Sequence, residues 1–171
     1  STDRLIAEIQ GQRLLALAET GALEVHREEV DIHSLVDRIA REYRRHADAK
    51  DVKIRAAPKR DLPSVETDPT LAGRVLGNLV KNAVEASDHG DVVTVAARAE
   101  EDGTVISVHN PAVMSEEVRS QVFHRSFSTK GRERGLGTWS VKLLTEQYLG
   151  GRVEFTSADG AGTTFRVHLP G

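Results

Sequence analysis

The stretch VLGNLVKNAVEAS, residues 75–87, decides how the rest of the chain is read. It has the pattern of an amphipathic helix, except that Asn78 and Asn82 stand four apart and therefore share one face. Asparagine is a weak helix former, roughly 0.5 kcal/mol below alanine per position, so two on one stripe call for a reason other than folding. One turn apart, their carboxamides can offer oxygens to a hard cation whose charge is balanced mainly by bound phosphates. Mg²⁺ in nucleotide sites takes only one or two protein oxygens and fills the rest with phosphate and water. The structural alternative is a pair of asparagines that cap or bridge neighbouring loops.

On either side of this helix the pattern alternates between helix and strand. Upstream, Thr2 to about Thr20 carries a broken apolar stripe (Leu5, Ile6, Ile9, Leu14, Leu15, Leu17, Ala18), with Gly11 as its weak point and Gly21 as its stop. A lone helix of this length is marginal, so it is expected to pack on another, either upstream or in a second copy of the chain, the alternative being an ordinary helix folded onto its own domain. REEVDI (27–32) reads as a short strand, 32–47 as a helix and VKIRA (52–56) as a strand. DLPSVETDPT (61–70) holds an edge segment, with a helix start at Asp68 and Pro69. Downstream come two strands, VVTVAARA and TVISVHN, joined by an acidic turn, and a short helix near 115–123. A polar stretch to Gly137, a helix over 138–149 and the hairpin RVEFTSADGAGTTFRVHLP follow. Several strands are hairpin neighbours. The expected class is therefore α+β, a two-layer sandwich with helices on one face of a mixed sheet and an N-terminal helical appendage.

The chain has 171 residues, 39% hydrophobic and 29% charged, enough for one domain with a sizeable core, or one domain plus an appendage. A formal charge of −3 exerts no global pull on nucleic acid or an anionic membrane, so any anion site must be local. No apolar run reaches the ~18 residues that span a bilayer, which gives the expectation of a cytoplasmic piece without membrane contact. The absence of cysteine rules out a disulfide framework and thiolate metal sites. The chain opens at Ser1 already in helical pattern, as expected of a fragment of a longer protein.

In GRERGLGTWSVKLL (131–144), Gly135 and Gly137 stand just ahead of a helix whose first residue or cap is Thr138. Such a junction offers unpaired backbone N–H groups and the positive end of the helix dipole to an anion. Alone it reads equally as an anion site and as a flexible loop ending in a helix cap, because it lacks both the lysine of a P-loop and the strand of a dinucleotide fingerprint. FHRSFSTKGRER (123–134) adds Arg125, Lys130, Arg132 and Arg134 against a single acid, Glu133, a local cationic loop suited to polyphosphate or simply solvated. Phe123 and Phe127 read as anchors for its ends or as core.

Taken in order, NLVKNA, VHNPAV, FSTK, GLGT and GTTF resemble the successive boxes of the ATP-binding domain of sensor histidine kinases. These kinases share a superfamily with gyrase, mismatch-repair ATPases and heat-shock chaperone ATPases. The resemblance runs from about Arg27 to Pro170. It implies a Bergerat-type fold for 27–171, with 1–26 as the C-terminal end of the dimerisation and phosphoacceptor helix, the acceptor histidine lying upstream. It implies ATP and Mg²⁺ as cofactors, with Asn82 as metal ligand and Asn78 beside it at the phosphates. Asn110, or His109 in a shifted register, falls where the family reads adenine. Lys130, Arg132 and Arg134 become lid cations, Gly135, Leu136, Gly137 and Thr138 line the phosphate end, and Thr163 is an adenine-side contact. The implied partners are the chain's own phosphoacceptor domain and a response regulator, within a homodimeric parent of a kind that includes membrane-anchored proteins; nucleic acid is not among them.

Three positions depart from the family. HNPAVM lacks the usual acid and its glycines; an asparagine still accepts from an amino group but without the charge, which roughly halves the strength of the bond. Glu133 stands where a lid glycine is common, and Trp139 replaces a small or aliphatic residue. ATPases of the superfamily carry a water-activating glutamate at the position of Asn78, and an amide cannot act as a base. The resemblance therefore implies phosphoryl transfer to an outside nucleophile, by positioning and charge neutralisation, rather than hydrolysis. A degenerate nucleotide-binding scaffold and an anti-sigma-type serine kinase are the alternatives.

Overall fold

The computed structural model describes residues 2–124 and 132–171, with the side chains of residues 3, 4, 7 and 132–136 outside that description. A helix α1 (Thr2–Thr20) leads, followed by β1 (Glu28–Val30), α2 (Ile32–Asp48), β2 (Lys53–Ala56), β3 (Val65–Thr67) and α3 (Pro69–Ala86). Then come β4 (Val92–Glu100), β5 (Gly103–Asn110), α4 (Glu116–Gln121), α5 (Arg132–Leu143), a π-helical turn (Leu144–Tyr148), β6 (Arg152–Ala158) and β7 (Gly162–Pro170).

The five-stranded sheet has the order β2-β4-β5-β7-β6, parallel between β2 and β4 and antiparallel elsewhere, so it is mixed as expected. Period-two alternation sends Ile54, Val93, Val95, Ile106, Val108, Phe165 and Val167 to one face, where α2 and α3 cover them. Each such side chain contributes about 1.5–3 kcal/mol relative to exposure. The hairpin neighbours β4–β5 and β6–β7 lie antiparallel, with β7 inserted between β5 and β6. Among the described residues no helix packs on the opposite face, which carries Arg55, Arg98 and Arg166.

Two features differ from the sequence reading. β1 and β3 pair with each other in a separate two-stranded sheet, Glu28 opposite Thr67 and Val30 opposite Val65, rather than edging the main one. The helix expected over 138–149 starts six residues earlier, at Arg132, and its last turn is π-helical before Gly150 ends it with φ +70°. Thr138 is thus a mid-helix residue and not a cap.

The apolar stripe of α1 divides along its length. Leu15 and Ala18 are buried against the domain, whereas Leu5, Ile6, Ile9 and Leu17 are exposed. The domain end of α1 is held by Tyr148, whose hydroxyl donates to the Ala18 carbonyl at 2.6 Å. Gly11 does not break the helix; the guanidinium of Arg74 occupies the space a Cβ there would fill.

Candidate nucleotide site

The helix α3 owes its start to Asp68, whose Oδ1 accepts from the amides of Thr70 and Leu71, with Pro69 in the first helical position. Its apolar residues, Leu71, Val75, Leu76, Leu79, Val80 and Ala83, are buried, which turns Asn78, Lys81 and Asn82 to the opposite, partly exposed side. There they line a cavity of about 260 Å³ together with Arg74 and Glu85. Gly137, Ser140 and Leu144 form a facing wall from the α5 side, and Gly11, Gln12 and Leu15 of α1 close another. Asn78 and Asn82 therefore share one concave space, as their spacing implied, and Gly137 shares it with them.

Asn78 is fixed in place. Its Nδ2 donates to Ser140 Oγ at 2.9 Å, and that hydroxyl donates to the Gly137 carbonyl at 2.8 Å. The asparagine oxygen is thereby left to the cavity. The start of α5 at Arg132 places the Gly137 amide within the helical ladder, so the glycine lines the cavity without standing at a helix N-terminus. Thr138 is buried, and its hydroxyl donates to the Val122 carbonyl, tying α5 to the end of α4. Lys130, Arg125 and Phe127 lie outside the described residues, as do the side chains of Arg132, Glu133, Arg134 and Leu136 and the surroundings of Gly135. Phe123 packs edge-on to Phe155 and Phe165, with centroids 5.7 and 6.1 Å away, so it is core.

At the end of β5 the two candidate registers separate. His109 projects to the uncovered face of the sheet, where its Nε2 lies 2.8 Å from the Ala161 carbonyl. Asn110 follows Ile106 and Val108 on the helix-facing side, is 3% exposed, and its Nδ2 has no hydrogen-bond partner. Thr163 lies directly across from it on β7 and is equally buried. The Thr163 hydroxyl donates to the Ala112 carbonyl at 2.8 Å and accepts from Ser157, whose oxygen in turn accepts from the Met114 amide at 2.9 Å. This chain of bonds holds the segment after β5 against the β6–β7 hairpin. Gly162 lets it approach: at φ +76°, a Cβ on it would overlap the Asn110 carbonyl. Trp139 is half-buried, and its indole N–H is likewise without a partner.

Sequence reasoning missed Ser140, Ser157, Lys81 and Arg74. Lys81 lay inside the quoted motif, but Ser140 and Ser157 carry no local signal, because their role consists of contacts 62 and 43 residues away.

The donor set suits a magnesium triphosphate. Among the described residues no group of three His, Asp or Glu side chains could hold a metal. A cation held by the Asn82 oxygen alone would take its remaining ligands from phosphate and water, as Mg²⁺ does in nucleotide sites. Among the described residues the Asn110 amide nitrogen is one of five buried polar atoms without a partner, the others belonging to Thr67, Thr104, Trp139 and Thr145.

Residues 67–171 match the family described as Histidine kinase-, DNA gyrase B-, and HSP90-like ATPase. The chain belongs to this family. It is an ATP-binding domain of the histidine-kinase type, with the α+β sandwich expected of one. Sensor histidine kinase ZraS of Escherichia coli (strain K12) is 30% identical over 142 residues, covering 82% of this chain and 30% of that protein. Sensor-like histidine kinase SenX3 of Mycobacterium tuberculosis (strain ATCC 25618 / H37Rv) is 31% identical over 152 residues, covering 83% of this chain and 36% of that protein. The chain thus spans about a third of the length of these curated relatives. Full-length ShkA, solved in complex with AMPPNP, superposes with a TM-score of 0.83 at 26% identity, covering 98% of this chain and 36% of ShkA. The catalytic domain of histidine kinase ThkA shares the fold, with a TM-score of 0.74 at 22% identity over 85% of this chain and 97% of that one. Among the described residues no helix is long and apolar enough to cross a membrane.

Proposed function

We propose that this chain is the catalytic part of a two-component sensor histidine kinase, binding Mg-ATP between α3 and α5 for transfer of the γ-phosphoryl group to a histidine of a preceding helical domain. The observation that carries this reading is the shared cavity of Asn78, Asn82 and Gly137, walled on one side by α1. In this reading Asn82 ligates Mg²⁺, and Asn78, held by Ser140, contacts the phosphates. Lys81 and Arg74 bring positive charge to the same space, where Glu8 and Glu85 bring negative charge. Asn110 and Thr163 face the base. Lys130, Arg132, Arg134, Gly135, Leu136 and Gly137 would serve the phosphates from the lid side, while the Thr138 hydroxyl is spent on Val122. ATP supplies the transferable phosphoryl group; the chain's residues orient it and offset its charge.

Residues 1–26 are proposed to be the end of the phosphoacceptor domain. The exposed Leu5, Ile6 and Ile9 of α1 support a helical partner there and a homodimeric parent, which would pass the phosphoryl group to a response regulator. Asn78 stands where a hydrolase needs a base, which favours transfer over hydrolysis. One observation favours the scaffold reading instead: an uncharged residue, Asn110, at the base position.

Two measurements separate these readings. Calorimetric titration with a non-hydrolysable ATP analogue is expected to show binding that strengthens with Mg²⁺. Addition of the parent's phosphoacceptor domain and radiolabelled ATP is expected to yield acid-labile, base-stable phosphohistidine. Binding without phosphohistidine would leave the scaffold, and absence of binding would reject both.

A further inference from the structure

The carboxamide of Asn110 is buried and its nitrogen has no partner. The nearby hydroxyls cannot release it from this state, because Thr163 and Ser157 are engaged with each other, with the Ala112 carbonyl and with the Met114 amide. A buried donor of this kind can be satisfied by an acceptor that a ligand brings. The chemical difference between this residue and a carboxylate is specific. A carboxylate only accepts, whereas a carboxamide accepts at Oδ1 and donates at Nδ2, and half a turn about its Cβ–Cγ bond exchanges the two.

Resting on the reading in which Asn110 faces the base, we propose that this residue makes the site tolerant of the purine 6-substituent. The chain then binds 6-oxopurine nucleotides, inosine triphosphate being the simplest, alongside ATP. Toward adenine, Oδ1 accepts from the 6-amino group; toward hypoxanthine, Nδ2 donates to the 6-carbonyl. An acid at position 110 would strengthen the first bond by adding charge and would set two acceptors face to face in the second. Discrimination arises chiefly from such unpaired or repelling contacts, and Asn110 removes the repelling one.

The test is calorimetric titration of the whole chain and of Asn110→Asp with ATP, ITP and CTP, each with Mg²⁺. In the unmodified chain the ATP and ITP affinities are expected to agree within about 10-fold, with CTP weaker than both. In N110D the ratio is expected to shift toward ATP by about 10-fold or more, mainly through loss of ITP binding. ATP binding with ITP more than about 100-fold weaker in the unmodified chain would overturn the proposal. So would equal binding of CTP, which would mean that the base is not read. Failure of every nucleotide to bind a folded chain would instead reject the nucleotide site itself. Should N110D not fold, the ATP, ITP and CTP affinities of the unmodified chain decide the matter alone.

Discussion

Asn78 donates its side-chain amide to Ser140 at 2.9 Å, joining α3 to α5 across the cavity. The bond bridges two helices whose polar residues otherwise face a ligand space, and it orients the first of the two asparagines. Ser140→Ala is expected to lower the unfolding free energy by about 1 kcal/mol, the net worth of a typical hydrogen bond. A double-mutant cycle with Asn78→Ala, measured by urea unfolding, should return most of that as coupling energy; purely additive losses would mean that the two side chains act independently.

Asn82 is partly exposed and lines the cavity one helical turn from Asn78. Asn82→Ala is expected to leave stability within about 0.5 kcal/mol of the unmodified chain. Nucleotide affinity should fall by about 10-fold or more with Mg²⁺ present and stay the same in its absence. An equal fall under both conditions would place Asn82 at the nucleotide but not at the metal.

Asp68 does two tasks at once. Its Oδ1 caps α3, and its Oδ2 accepts from the His26 amide at 2.9 Å, fixing the segment that leads in from α1. The residue is 4% exposed, so its loss leaves donors without solvent to replace it. Asp68→Ala should cost about 1–2 kcal/mol in chemical unfolding, and Asp68→Asn much less, because asparagine also caps. Equal losses in the two variants would show that the negative charge, rather than the cap, is what matters.

His168 is clamped between two acids on the uncovered face of the sheet: Nε2 lies 2.9 Å from Glu154 Oε1 and Nδ1 lies 3.1 Å from Glu100 Oε2. The hydrogen bond from His168 holds the Glu154 carboxyl below its usual value of 4.5. The folded state therefore gives up that proton more readily than the unfolded chain. The resulting stabilisation is complete above about pH 4.5 and is lost as pH falls through the lower folded value. Glu154→Gln should flatten the acid limb of stability against pH by lowering the neutral plateau, and only slightly, since the Glu154 side chain is largely exposed and screened. Unfolding midpoints across an acid-to-neutral series would check this; an unchanged acid limb would count against it.

Helix and strand order were legible because periodicity and caps are local. Asp68 and Pro69 announced α3, Gly150 ended the helical run before β6, and the alternation in β4, β5 and β7 was plain. The start of α5 was not, because glycines at 135 and 137 argue locally for a loop, and helix propensity is readily overridden by context. The separate pairing of β1 with β3 also escaped, since two three-residue strands carry no signal of their partner.

By itself, then, the sequence determined the class of the fold, the helix that carries Asn78 and Asn82, and the order of the boxes from which the family follows, all of which are written in short-range pattern. Only the tertiary structure decided that Asn110 rather than His109 turns toward the helices, that Ser140 orients Asn78, and that Thr138 is spent on Val122. Those outcomes depend on which groups find partners once distant segments meet. A buried polar group is either satisfied or costly, and that balance is set by neighbours far away in the chain.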